Sequence, residues 1–220
     1  MPNPNPAAHH SSLSIGHWSL SIGHWSLVIL LAWTLLLYRL GAQSFWYDEG
    51  YAVYTASLAP ANILLWSSRD FVPPLHPYLL ALWLSLAGWT EFAARFLSVW
   101  AGTLMAAGMI RLGRDLYSRP AGFLAGLLAA ISPFYVWYGQ ETRAYTYQAL
   151  FGLLATLLLV RALKQPQRWR LWAGLALLDA LALYSQATSG FLLLFHGLVI
   201  LISGWGKAGR MWLIRGGLAL

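Results

Sequence analysis

An all-α integral-membrane bundle is the fold this sequence predicts, and three observations predict it. Hydrophobic residues make up 59% of the chain and charged residues 10%, with a mean hydropathy of +0.57; a soluble domain carries roughly a quarter charged residues. Apolar runs recur along the chain at about the length a helix needs to cross a bilayer. The basic residues behind the net charge of +7 sit in short links between those runs, a pattern that sets orientation in a membrane. They form no clustered basic segment, so nucleic acid is not expected as a partner. Thirteen Trp and eleven Tyr suit the bilayer interface, where their rings are half apolar and half wet. With no Cys in the chain, disulfides, thiolate catalysis and Cys-based metal sites are excluded.

The elements follow in order. Residues 1–12 are polar and rich in Pro and Asn, as a disordered tail is. The heptad Ser12–Trp18 is then repeated without change at Ser19–Trp25, a local duplication that lengthens the lead-in to the first span; two heptads are too few for a coiled coil. Residues 1–25 are therefore set apart from a membrane module over 26–220. Its apolar runs lie at roughly 20–40, 74–88, 92–110, 120–138, 143–163, 171–186 and 188–204. The run at 74–88 is about 15 residues long and opens on Pro73-Pro74-Leu75-His76-Pro77; that length suits an interfacial or re-entrant helix better than a span.

Charge decides its topology. If 74–88 stays on the surface and the N-terminus is cytoplasmic, the links 111–119, 161–170 and 205–215 all face the cytoplasm. They hold ten of the fourteen basic residues: Arg111, Arg114, Arg119, Arg161, Lys164, Arg168, Arg170, Lys207, Arg210 and Arg215. If 74–88 crosses, the bias inverts and the positive-inside rule fails. The expectation is about six spans, with an outer loop over 42–91 carrying short interfacial helices, and another apolar run opening near Met211. Five of the seven acidic residues, Asp48, Glu49, Asp70, Glu91 and Glu141, then share the outer face with His76, Arg95 and Arg143. An outer site is the functional reading; tolerance of acids outside accounts for part of the same pattern.

Two outer segments carry the candidate chemistry. Asp48 and Glu49 follow the first span, and ionisable groups beside a membrane span are costly and so are functional candidates. A short helix is expected over Tyr47–Ala59 with Asp48 as its N-cap. The helix dipole favours a charged carboxylate there, and an ionised carboxylate can take a proton from an attacking hydroxyl. The second segment runs from Ser132-Pro133 to Gln148. Pro133 is expected to kink its helix. Gln140, Glu141, Arg143 and Tyr145 crowd acid, guanidinium and amide into one or two turns, and Glu141 and Tyr145 share a face if the next span begins here. Arg143 suits a phosphate, since guanidinium presents a planar fork of donors; an interfacial Arg–Glu anchor explains it equally well. Asp179, inside the 171–186 run, is read as hydrogen-bonded to a neighbouring helix through a Ser, Thr or Tyr. His76 and His196 are lone histidines without ligand-spaced partners, so neither marks a metal site. No phosphate-binding Gly-rich loop occurs.

In order, Asp48-Glu49, Pro73-Pro74-Leu75 to Trp83, Glu91-Phe-Ala-Ala-Arg95, Ser132-Pro133-Phe134 and Gln140-Glu141-Thr142-Arg143-Ala144-Tyr145 resemble the GT-C membrane glycosyltransferases. The likeness is to the branch of the protein O-mannosyltransferases and lipid A aminoarabinose transferases, glycosyltransferase family 39 in type, and it covers about residues 26–200. Relatives often have His before the Pro-Pro pair, where this chain has Val72, and read Gln-Glu-Ala-Arg-Met-Tyr, where Thr142 and Ala144 differ here. The resemblance implies a GT-C-type helix bundle in the cell membrane and a polyprenyl-phosphate-linked sugar as donor. It implies inverting transfer at the extracytoplasmic face to a lipid, glycan or protein acceptor. Asp48 would be the general base and Glu49 an orienting residue. Arg143, with Arg95, would stabilise the departing phosphate, beside Gln140, Glu141, Tyr145 and His76 as binding residues. A base and preplaced cations suffice for this chemistry, so no cofactor is expected and a divalent metal is not indicated. Such enzymes usually have eleven or more spans, so the chain is expected to be the N-terminal part of a longer one. A scaffold or lipid-handling module retaining the fold is the alternative; a transporter is disfavoured, since no matching pair of broken helices is visible.

Overall fold

A computed structural model describes residues 12–70 and 72–204, with side chains from Gly23 onward. The expectations for residues 1–11, for Lys207, Arg210 and Arg215, and for the run near Met211 lie outside the described residues. Among the described residues every regular element is a helix: α1 Ser12–Leu37, α2 Tyr47–Ser57, α3 Pro60–Asp70, α4 Leu75–Ala87, α5 Glu91–Leu116, α6 Arg119–Ile131, α7 Pro133–Gly139, α8 Tyr145–Lys164, α9 Trp169–Ser185, a 3-10 turn at Ala187–Ser189, and α10 Gly190–Gly204. The backbone of both heptads belongs to α1.

Local chemistry sets the boundaries. Hydroxyls of Thr90, Ser118 and Ser132 accept from the amides of Ala93, Ala121 and Tyr135 and so cap α5, α6 and α7. Proline fits the first turn of α6 and α7, where its missing N–H costs nothing. Gly88, at φ +88°, closes α4 in a conformation that other residues rarely adopt. The kink expected at Pro133 is a break of 62° between α6 and α7.

Helices α5 and α8 are long and apolar enough to cross a membrane, and the bent pair α6–α7 makes a third if counted as one span. The apolar stretches 23–37, 75–87 and 187–203 are shorter, and α9 has 17 residues. By length and composition, two or three of the six expected crossings therefore qualify among the described residues. Outward-facing side chains such as Leu124, Leu128, Phe191 and Leu194 are exposed, as hydrocarbon solvent favours.

The interior divides into packed layers. Val28, Ala32, Ala106, Ile110 and Ala130 close the contact of α1, α5 and α6. Ala155, Leu159, Ala162, Trp172, Leu175 and Ile200 close that of α8, α9 and α10. Between α5 and α6 the backbones nearly touch: a Cβ on Gly122 would lie 2.5 Å from the carbonyl oxygen of Ile110. Small residues at a crossing are how helices in lipid gain van der Waals contact without a hydrophobic drive. A third layer, Ala52, Ala56, Leu80, Leu84, Ala93 and Ala94, docks α2 and α4 on the first turns of α5. That layer fixes the 42–91 segment against the bundle and positions the candidate site.

One polar cluster lies inside the bundle. Asp179 of α9 meets Nδ1 of His196 on α10 at 3.0 Å, and Nε2 of the same ring meets Thr156 Oγ1 of α8 at 3.1 Å. Asp179 thus does bond to a neighbouring helix, through His196 rather than through a Ser, Thr or Tyr directly. The two residues that read as isolated in the sequence are each other's partners.

Candidate active site

The site forms where α2 meets the irregular link 140–144 between α7 and α8. Helix α2 begins at Tyr47 with Trp46 in the N-cap position and no side-chain cap, so Asp48 is not the N-cap. Asp48 and Glu49 both stand in the first turn, where the dipole still favours negative charge. Successive residues on a helix point about 100° apart, and the two carboxylates part company accordingly. Glu49 is buried, at 1% exposure, whereas Asp48 keeps 36% of its side chain exposed.

Glu49 is met by Arg95 as a fork: Nε donates to Oε1 at 2.8 Å and Nη2 to Oε2 at 2.6 Å. The remaining Arg95 donors go to the carbonyls of Leu40, Gln43 and Ser44, so all five N–H groups of the guanidinium are engaged. The amide of Thr142 donates to Glu49 Oε1 at 3.0 Å. One buried ion pair therefore pins α2, α5, the 40–44 turn and the 140–144 link together. Gln140 is occupied in the same way. Its amide donates to the carbonyls of Leu35, Leu36 and Tyr38, at and just past the C-terminal end of α1. Of the residues expected to bind substrate, Arg95 and Gln140 are thus committed to holding the backbone.

Arg143 is different. Its Nη2 lies 3.5 Å from Asp48 Oδ2 and 3.3 Å from Tyr145 Oη, its Nη1 3.4 Å from the Asp48 carbonyl, and its carbon centre 5.4 Å from the Tyr145 ring. These contacts are long and a quarter of the side chain is exposed, so solvent screening leaves the pair little strength. A weakly held guanidinium beside a half-exposed carboxylate can exchange partners when an anion arrives. Because α8 begins only at Tyr145, Glu141 lies in the link and does not share a helix face with Tyr145, contrary to the spacing argument. Glu141 is buried beside Trp46 and Trp137. Burial pushes its carboxyl above the ordinary range, a Trp137 hydrogen bond opposes this, and the Glu49 charge adds to it.

A cavity of about 180 Å³ opens beside Arg143, between α2, α3, α4 and the turn after α9. His76 and Pro77 come from α4, Tyr51 and Thr55 from α2, Trp66 and Ser67 from α3, and Gln186 and Thr188 from the polar turn. His76 is buried at 5% exposure, and burial, then the Arg143 charge, lower its pKa to about 3. Ser67 and Trp66 carry no motif or spacing signal in the sequence. Among the described residues no three His, Cys, Asp or Glu side chains gather as a metal site.

A helical membrane bundle carrying this pair has the form of a GT-C membrane glycosyltransferase. Residues 72–220, more than half of the chain, match the family described as dolichyl-phosphate-mannose-protein mannosyltransferase, and the chain belongs to that family. It is accordingly a membrane glycosyltransferase of the mannosyltransferase type. No curated protein and no solved structure matches the chain. The family match takes in His76, Arg95, Gln140, Glu141, Arg143 and Tyr145; Asp48 and Glu49 precede it.

Proposed function

We propose that the chain transfers a glycosyl group, with inversion, from a polyprenyl-phosphate donor to an acceptor hydroxyl at the extracytoplasmic face of a multi-pass bundle. The observation that carries this reading is the loose contact of Asp48 with Arg143, an acid and a cation 3.5 Å apart and partly exposed, on the side of the bundle that the basic links avoid. Donor phosphate takes over the Arg143 guanidinium and leaves Asp48 free. The acceptor hydroxyl gives its proton to Asp48 as its oxygen attacks the anomeric carbon. The carbon–oxygen bond to phosphate breaks on the opposite side, and the charge that collects on the departing phosphate is met by Arg143. Glu49, saturated by Arg95 and Thr142, holds the helix turn that aims Asp48. Glu141 and the rings of Trp46 and Trp137 offer a wall for the acceptor.

The test is donor binding and transfer by the detergent-purified chain, with Asp48→Asn and Arg143→Ala beside the wild type. Asp48→Asn is expected to bind donor normally and to lose transfer by about 10²–10⁴-fold, the range for a positioned general base. Arg143→Ala is expected to lose donor binding. Transfer that survives Asp48→Asn removes Asp48 from the role of base; a wild type that binds no donor removes the donor site itself.

A further inference from the structure

The C-terminal ends of α5 and α8 carry a second polar cluster, built around one carboxylate. Arg111 Nε lies 2.8 Å from Asp115 Oδ2, Arg161 Nη2 3.5 Å from the same oxygen, and Arg114 Nε 3.6 Å from Oδ1. Lys164 Nζ donates to the Asp115 carbonyl oxygen at 3.1 Å. The Arg114 guanidinium also lies 5.3 Å from the centre of the Trp25 ring, so α1 closes one side. Four cations from two helices thus converge on one acid. Asp115 cancels one of the four charges. Two helix C-termini, each equivalent to roughly half a negative charge, cancel about one more. A surplus of about two positive charges is left. Its carriers stay accessible: Arg111 keeps 47% of its side chain exposed and Arg161 37%, and Lys164 is exposed. Pairs this exposed are weak, so the donors can turn to an arriving anion.

Position decides which anion. Helix α8 has 20 residues, about 30 Å at the usual rise, which matches the hydrocarbon core of a bilayer. Arg143 stands just before its first turn and Lys164 is its last residue. Likewise, α5 carries Arg95 near its start and Arg111 and Arg114 near its end. With α5 and α8 crossing the bilayer, the cluster lies at the membrane surface opposite Asp48 and Arg143. Leu116, Tyr117 and Trp169, close to it in the chain, are exposed, and such aromatic side chains suit the headgroup level. We infer that the cluster is a docking site for the phosphodiester of an anionic phospholipid in that leaflet. Arg111, Arg161 and Lys164 donate to the phosphate, and Asp115 holds them close enough together to share it. Basic groups gathered between helices at a membrane surface suit such headgroups. Orientation by positive charge alone needs basic residues in the right links, but no convergence of two helices on one point. The inference stands apart from sugar transfer and does not depend on it.

The experiment counts lipids retained by the detergent-purified chain in native mass spectrometry, with phosphatidylglycerol or phosphatidylcholine as the probe. The wild type is expected to retain phosphatidylglycerol preferentially. Arg161→Gln with Lys164→Gln is expected to weaken that retention by about tenfold to thirtyfold, the worth of two basic residues near an anionic surface. Arg168→Gln with Arg170→Gln, on exposed residues of the neighbouring link and helix start, removes the same charge outside the cluster and is expected to change retention little. Thermal unfolding of both double variants checks that each is folded; Arg111→Gln, which breaks one exposed pair, gives a milder loss of the same kind if the first pair of changes unfolds the chain. Equal retention of the two lipids by the wild type overturns the site. So does an equal loss in the two double variants, which would make the attraction a diffuse one. Displacement of the lipid by millimolar inorganic phosphate would make this a free-anion site and overturn the lipid as its occupant.

Discussion

At the scale of the residue, two neighbouring carboxylates do opposite work. Composition picked out Asp48 and Glu49 together because acids are scarce in this chain, and nothing in the sequence separates them. The separation is made by a helix start two residues earlier than a capping Asp48 requires, which turns Glu49 inward to Arg95 and leaves Asp48 outside. Arg95 was legible as an important residue but not as a saturated one, because the carbonyls of Leu40, Gln43 and Ser44 that occupy it are invisible to side-chain patterns. Removing one partner of a buried pair leaves the other charge uncompensated. Glu49→Gln and Arg95→Leu are each expected to cost about 3–5 kcal/mol, read as a fall in thermal midpoint in detergent. Arg95→Lys should not restore it, since an ammonium cannot make the two-pronged contact; full recovery with Lys would mean that charge alone is needed.

At the scale of the element, the breaks were more legible than the short helices. Pro133 announced the α6–α7 bend, because proline removes a donor and clashes with the preceding turn. Helix α3 was not foreseen: its Pro-Ala-Asn-Ile-Leu-Leu-Trp-Ser-Ser-Arg-Asp sequence is too short to hold itself and depends on its neighbours. The tight α5–α6 crossing was also hidden, since Gly122 in a membrane helix can be filler as readily as contact. Its backbone proximity makes a prediction. Gly122→Leu has no room against the Ile110 carbonyl and is expected to separate α5 from α6, at a cost at or above the roughly 1–3 kcal/mol of ordinary overpacking, measured by thermal unfolding in detergent. Leu124→Ala, at an exposed position on the same helix, should be close to neutral; a neutral Gly122→Leu would mean that the backbones of α5 and α6 are not in contact.

At the scale of the whole molecule, class was plain from composition and order of motifs, while the number of crossings was not. Among the described residues, apolar runs of similar hydropathy became two helices long enough to span, a bent pair that makes a third if counted as one, and several shorter stretches, because length on a helix and length in a sequence diverge wherever a turn intervenes. If the basic links face the cytoplasm, as the positive-inside rule expects, α2, α3 and α4 lie outside and the 165–168 link inside. A chain without cysteine offers a clean check: Ala59→Cys and Gln167→Cys, both on exposed residues, labelled in intact cells with a membrane-impermeant thiol reagent. Ala59→Cys is expected to label directly and Gln167→Cys only after permeabilisation. The reverse order would invert the bundle and move Asp48 and Arg143 to the cytoplasm.

The Glu49–Arg95 clasp bears on how this protein would look to a geneticist. A screen for lost sugar transfer would return Glu49, Arg95 and Gln140 alongside Asp48 and Arg143, and a list of dead alleles would draw the first three as part of the reacting centre. Only the amount of folded protein in the membrane tells the groups apart, since alleles at Asp48 should accumulate normally while alleles at Glu49 should vanish from it.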